Sequence, residues 1–153
     1  MNHQRTWFYF VLAIMLFTIV LLATGSSILT LALDKHDSIP LGTFITWAGI
    51  ISLPLTIYLG VKEFRKPSRP FNKYLANILK FMLVLAILWV PISYLLSGNI
   101  SFSFSEKETF QGGQVAMKWF WGISYGIALG PILLLIVYWL SILFNRNHNA
   151  LHN

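Results

Sequence analysis

Charged residues are missing from four long stretches of the chain. Residues 6–33, 38–61, 81–105 and 119–145 contain no Asp, Glu, Lys or Arg. Each stretch exceeds the roughly 20 apolar residues that an α-helix needs to cross a bilayer core about 30 Å thick. The pattern therefore predicts an all-α integral membrane protein, a bundle of four transmembrane helices.

The four predicted helices account for most of the 153 residues. Their approximate bounds are 7–32, 40–61, 71–97 and 118–144. The segments between them are shorter than the roughly 50 residues that an independent soluble domain usually needs. We therefore expect a single membrane domain over residues 1–153.

The connection over residues 97–118 shows a different periodicity. Ile100, Phe102 and Phe104 alternate with three serines, which is the spacing of a short strand with one apolar face. This alternation predicts a short β-hairpin or flap on the outer side of the bundle. If the protein itself does not cover Phe102 and Phe104, we expect them to contact a partner or the membrane surface.

Charge is distributed unequally between the two ends of the predicted bundle. The connection 62–80 contains one acidic residue, Glu63, and six basic residues: Lys62, Arg65, Lys66, Arg69, Lys73 and Lys80. The same side receives Arg5 and Arg146, whereas the opposite side receives Lys35, Lys107 and Lys118. Because cytoplasmic segments carry the excess of Lys and Arg, we expect both termini and this loop in the cytoplasm, at a bacterial inner membrane.

The net charge of +6 is thus explained by orientation in a membrane. We expect no nucleic-acid partner. The lysines of the basic loop should contact anionic membrane lipids, and the loop also offers a surface to a soluble cytoplasmic partner.

Small residues repeat along the predicted fourth helix. Gly122, Gly126 and Gly130 recur every four residues, and Ser124 and Ala128 form a second small row beside them. Bare backbone at this spacing lets another helix approach closely in lipid. Because each glycine costs about 1 kcal/mol of helix propensity relative to alanine, we expect a helix-packing site here. Its occupant can be a helix of the same chain, a second copy or another protein.

Two tryptophans, Trp47 and Trp89, lie well inside the predicted spans. A buried indole N–H usually seeks a hydrogen-bond acceptor. We therefore expect both side chains to face other helices rather than lipid.

The predicted spans contain no group suited to catalysis. The four stretches without charged residues also lack histidine, so a serine nucleophile there would have no base within hydrogen-bond reach. The chain has no cysteine, which excludes disulfides and thiolate metal sites. We expect no enzymatic activity, no cofactor and no metal site.

These observations favour a small non-enzymatic inner-membrane protein that acts through helix–helix contacts with a partner membrane protein or with itself. Accessory subunits, immunity proteins and phage-defence or exclusion components share this architecture. The alternative is a homo-oligomeric channel or sensor of membrane state. Its neutral pathway would be lined by the hydroxyl groups of Thr24, Ser26, Ser27, Thr43 and Thr46.

Overall fold

The computed structural model describes residues 3–33, 39–100 and 110–150, with side chains as far as Phe144. Over these ranges the chain forms helices and no strand. Four helices are long and apolar enough to cross a membrane: His3–Thr24, Leu41–Gly60, Pro70–Ile87 and Gly113–Phe144. The prediction of an all-α protein with four membrane-spanning helices is confirmed.

Six helices follow in chain order, with a 3-10 turn at Ser27–Thr30 after the first. They are α1 (His3–Thr24), α2 (Leu41–Gly60), α3 (Lys62–Arg65), α4 (Pro70–Ile87), α5 (Trp89–Ser97) and α6 (Gly113–Ala150). Helix α2 is central and contacts α1, α4 and α6. Among the described residues α1 contacts only α2 and the 3-10 turn. The bundle is therefore open, with α1 at its edge.

The contact between α1 and α2 depends on a close backbone approach. Gly49 of α2 lies against Thr18 of α1, and a Cβ at position 49 would overlap the Thr18 side chain. Thr18 is buried, and its Oγ1 donates a hydrogen bond to the carbonyl of Ile45 at 3.3 Å. Small residues and interhelical hydrogen bonds of this kind drive helix association in lipid, where the hydrophobic effect is absent.

Helix α1 ends earlier than the predicted bound at residue 32. The Oγ1 of Thr24 donates back to the carbonyls of Val20 at 2.8 Å and Leu21 at 3.2 Å. Gly25 then adopts a φ of 58°, a left-handed conformation that glycine accepts without steric cost. The chain therefore leaves the helix at this point.

The predicted third span, 71–97, is divided at Leu88 into α4 and α5. Pro91 explains the break, because it has no N–H to donate to the carbonyl of Ile87 four residues earlier. Trp47 of α2 supplies a donor instead: its Nε1 lies 3.1 Å from the carbonyl oxygens of both Ala86 and Ile87. A backbone group that has no water to bond is thereby satisfied.

Two buried clusters fill the spaces between the helices. The first surrounds Phe64 of α3 and contains Leu75, Ala76, Leu79 and Leu134. The second surrounds Trp89 of α5 and contains Ala86, Phe120 and Ile127. The Nε1 of Trp89 donates to the Oγ of Ser124 at 2.8 Å. The prediction that Trp47 and Trp89 face other helices is confirmed.

The described residues that follow α5 reach one end of α2. Thr43 is fully buried, and its Oγ1 donates to the carbonyl of Ile100 at 2.7 Å. The predicted β-hairpin is not supported, because the described parts of 97–118 contain no strand and α6 already begins at Gly113. Phe102 and Phe104 fall within 101–109, outside the described residues.

Replacing Trp47 by Phe removes the donor to the Ile87 carbonyl. The free energy of unfolding should fall by about 1–3 kcal/mol, the cost of leaving a carbonyl without a hydrogen-bond partner where no water can replace it. Pro91→Ala restores a backbone N–H for the same carbonyl, so in that background Trp47→Phe should cost about 1 kcal/mol less. Unfolding in mixed micelles measures all four proteins of this double-mutant cycle. Equal costs in both backgrounds would show that the indole does not serve this carbonyl.

Candidate helix-packing site

The three glycines of α6 have different surroundings. Gly130 lies under Met82 of α4, whose sulfur would be 2.9 Å from a Cβ at position 130. At Gly122 and Gly126 an added Cβ would meet no neighbouring atom within 4 Å, and both residues are exposed. Among the described residues, the glycine row therefore meets another helix only at Gly130.

Helix geometry explains this division. Four residues advance a position by about 40° around an α-helix, so Gly130 is turned about 80° from Gly122. Phe120, Ile127 and Leu134 mark the buried side of α6. The rotation brings Gly130 toward that side and leaves Gly122 and Gly126 facing away from the bundle.

The second small row also serves the interior. Besides accepting the Trp89 indole, Ser124 donates its hydroxyl to the carbonyl of Phe120 at 2.7 Å. Ala128 lines a cleft of about 140 Å³ that α1 and α2 also border. The five predicted packing residues thus separate into an internal group and an open pair, Gly122 and Gly126.

The open pair lies in the middle of a continuous exposed stripe, which we call the glycine seam. Its members follow at alternating intervals of four and three residues: Val115, Trp119, Gly122, Gly126, Leu129, Leu133, Ile136 and Leu140. All of them are exposed, and the large side chains range from 47% at Leu140 to 68% at Val115. A mean spacing of about 3.5 residues is the repeat by which two helices pack along a left-handed seam.

The residues that flank the two glycines were not predicted from the sequence. Nearly every side of α6 is apolar, so hydrophobicity alone does not distinguish one stripe from another. Gly49 was missed for a different reason, since no second glycine lies four residues from it in α2. Extending the row from Gly122 and Gly126 in steps of three and four is the signal that identifies the seam.

The basic loop predicted as a partner surface is held together by Glu63. Its Oε2 accepts hydrogen bonds from the Ser68 backbone N–H at 2.9 Å, from the Ser68 hydroxyl at 2.8 Å and from Asn72 Nδ2 at 2.8 Å. Phe64 beside it is fully buried and anchors α3 in the first cluster. The loop between the second and third spans is thus a folded connection.

The six basic residues of this connection differ in exposure. Five are exposed: Lys62, Lys66, Arg69, Lys73 and Lys80. Arg65 is half-buried, and its Nε is buried without a hydrogen-bond partner. The five exposed side chains form the outer surface of the connection, whereas Arg65 is partly covered.

Hydrogen bonding lowers the pKa of Glu63 below its ordinary value of 4.5, with the Ser68 backbone N–H contributing most and the Asn72 amide next. A carboxylate whose pKa is lower in the folded protein than in the unfolded chain stabilises the fold at pH values above its unfolded-state pKa. This contribution is lost as the pH falls from 4.5 through the folded-state pKa.

Hydrogen exchange at the Ser68 amide tests this role of Glu63. Protection, corrected for intrinsic exchange, should be constant from about pH 7 to about pH 5 and should fall below that range as the carboxylate is protonated. Glu63→Gln should lower protection at neutral pH and remove the acid step. Lys62→Gln changes a neighbouring exposed charge and should keep the step. An acid step that persists in Glu63→Gln would assign the titration to another group.

Comparison with protein-family models, with curated proteins and with solved structures gave no match for this chain. Across the described residues, no three His, Asp or Glu side chains come together in a way that could hold a metal ion. The absence of a cofactor and of enzymatic activity stays a prediction.

Proposed function

We propose that the protein acts by binding a helix of another membrane protein, or of a second copy of itself, along the glycine seam. The supporting observation is the bare backbone at Gly122 and Gly126, where an added Cβ would meet no neighbour within 4 Å. A helix seated there would gain dispersion contacts and Cα–H···O hydrogen bonds.

Contact with lipid does not account for these two glycines. Any apolar side chain suits a lipid-facing position, and each glycine costs about 1 kcal/mol of helix propensity relative to alanine. Elsewhere in the membrane helices glycine permits close contact, as Gly49 does with Thr18 and Gly130 with Met82. A partner helix gives Gly122 and Gly126 the same role.

Three of the five hydroxyl groups considered for a channel are used within the fold. Thr24 bonds to carbonyls of its own helix. The Oγ of Ser26 accepts the N–H of Ile28 in the 3-10 turn, and Thr43 is buried against the carbonyl of Ile100. Because these groups are engaged internally, we favour helix binding over a hydroxyl-lined pathway.

We infer that the basic loop and both termini face the cytoplasm of a bacterial inner membrane. Positive charge from two elements meets at one end of the fold, since Arg5 of α1 and Arg65 of α3 line the same pocket. By the positive-inside rule this end is cytoplasmic. Roles as an accessory subunit, an immunity protein or a phage-defence component, and a soluble partner at the 62–80 loop, stay predictions.

Substituting Gly126 by Ile fills the seam at an exposed position, where the added Cβ meets no described atom within 4 Å. We expect association with a second copy or a co-purified membrane protein to weaken about tenfold or more, which corresponds to roughly 1.4 kcal/mol. Mass measurement of the intact complex from mild detergent, and energy transfer between labelled copies in vesicles, report the association.

Two further variants separate binding from folding. Ala13→Ile adds bulk to an exposed position of α1 and should leave association unchanged. Gly49→Ile collides with the buried Thr18, whose Cβ would lie 2.8 Å from the new Cβ, and should lower the stability of the monomer itself. The proposal is wrong if Gly126→Ile retains the wild-type complex, or if the wild-type protein is monomeric and carries no partner.

Single cysteines test the orientation, because the natural chain has none. Pro67→Cys lies in the basic loop and Gln114→Cys at the start of α6, and both positions are exposed. In intact bacterial cells a membrane-impermeant maleimide should label position 114 readily. Position 67 should react only after the inner membrane is permeabilised. The reverse pattern would contradict the inferred orientation.

A further inference from the structure

A polar pocket lies where the start of α1 meets α3 and the end of α2. Its volume is about 330 Å³, within the range of about 300–1,000 Å³ typical of small-molecule sites. Gln4, Arg5, Tyr9 and Arg65 supply its polar lining. Among the described residues no carboxylate lines it. Two positive side chains therefore face a cavity with no negative counterpart.

Arg65 is the most informative of these residues. Its Nε is buried and has no hydrogen-bond partner. Glu63, the only acidic residue of the loop, instead accepts hydrogen bonds from Ser68 and Asn72 at Oε2. A buried guanidinium nitrogen without an acceptor is costly, and a group of this kind needs an explanation, such as an ordered water, an ion or a ligand that the guanidinium binds.

Close packing of α1 on α2 holds the pocket in place. At the last residue of α2, a Cβ on Gly60 would lie 2.9 Å from Cε2 of Phe8 in α1. There is thus little space between the two helices at this level. The first turn of α1, which carries Arg5, is held next to the short segment that leads into α3 and Arg65.

We propose that this pocket binds a phosphate group, carried by the headgroup of an anionic phospholipid. Guanidinium groups form charge-assisted, often bidentate, hydrogen bonds with phosphate oxygens. The amide of Gln4 and the hydroxyl of Tyr9 can donate further hydrogen bonds. The absence of a carboxylate from the described lining favours a headgroup with net negative charge over a zwitterionic one.

The position of the pocket favours a lipid as the source of the phosphate. Arg5 lies in the first turn of one membrane-spanning helix, and Gly60 ends another. The pocket is therefore at the level of the lipid headgroups, where anionic lipids attract basic residues. A soluble phosphate offers the same chemistry, so the experiment must distinguish the two sources.

Lipid binding is measured on the full-length protein by native mass spectrometry and by thermal unfolding. The probes are phosphatidylglycerol, phosphatidylcholine and inorganic phosphate. Arg5→Gln and Arg65→Gln each remove one guanidinium from the pocket. Arg69→Gln is the matched control, because Arg69 is exposed in the same loop and does not line the pocket.

Saturable binding of phosphatidylglycerol should weaken about tenfold or more in Arg5→Gln and Arg65→Gln, as expected for loss of a charge-assisted hydrogen bond. In Arg69→Gln it should change less than about twofold. If millimolar inorganic phosphate displaces phosphatidylglycerol, and binding of inorganic phosphate is lost in the same two variants, the site is supported with soluble phosphate as its ligand. Equal loss in all three variants, or unchanged binding in Arg65→Gln, would overturn the proposal.

Thermal unfolding separates ligand binding from a structural role of Arg65. In phosphatidylcholine alone, Arg65→Gln should unfold at or above the wild-type temperature, because a buried nitrogen without a partner is removed. Phosphatidylglycerol should raise the unfolding temperature of the wild type and of Arg69→Gln, but not of Arg65→Gln. A lower unfolding temperature of Arg65→Gln in phosphatidylcholine would mean that Arg65 supports the fold and that no ligand is needed.

Discussion

The fold depends on satisfying and packing backbone in a medium that supplies neither water nor a hydrophobic force between helices. Helix α2 meets both demands. On one side Gly49 admits Thr18 of α1 into close contact. On the other side Trp47 donates to the carbonyls around the break before Pro91. A small residue of α2 therefore allows α1 to pack closely, and a hydrogen-bonding residue of α2 satisfies the backbone at the break between α4 and α5.

The same constraint applies to helix backbone that no neighbouring helix covers. Glycine in these helices is compensated by close contact at Gly49 and Gly130, whereas Gly122 and Gly126 have no such compensation within one chain. The open bundle, with α1 at the edge and the glycine seam of α6 facing outward, has the form expected of a protein whose packing is completed by another helix.

Apolar runs longer than a bilayer core were enough to predict the number and type of the helices. Their limits were less predictable, because they depend on single residues: Gly25 ends α1 before residue 32, and Pro91 divides the third span. The glycine row was visible in the sequence. The sequence did not reveal that Gly130 packs inside the bundle while Gly122 and Gly126 are exposed. Which side of α6 is buried depends on the neighbours α4 and α5, and no periodicity within an almost wholly apolar helix reveals them.

The central claim is that protein, rather than lipid, covers the glycine seam in the native membrane. A photoreactive diazirine side chain placed at Leu129 in the seam, and separately at Leu16 of α1, compares two similarly exposed positions, at 56% and 51%. We predict that Leu129 yields adducts with protein and that Leu16 yields adducts with lipid. Lipid adducts alone at both positions would contradict the account.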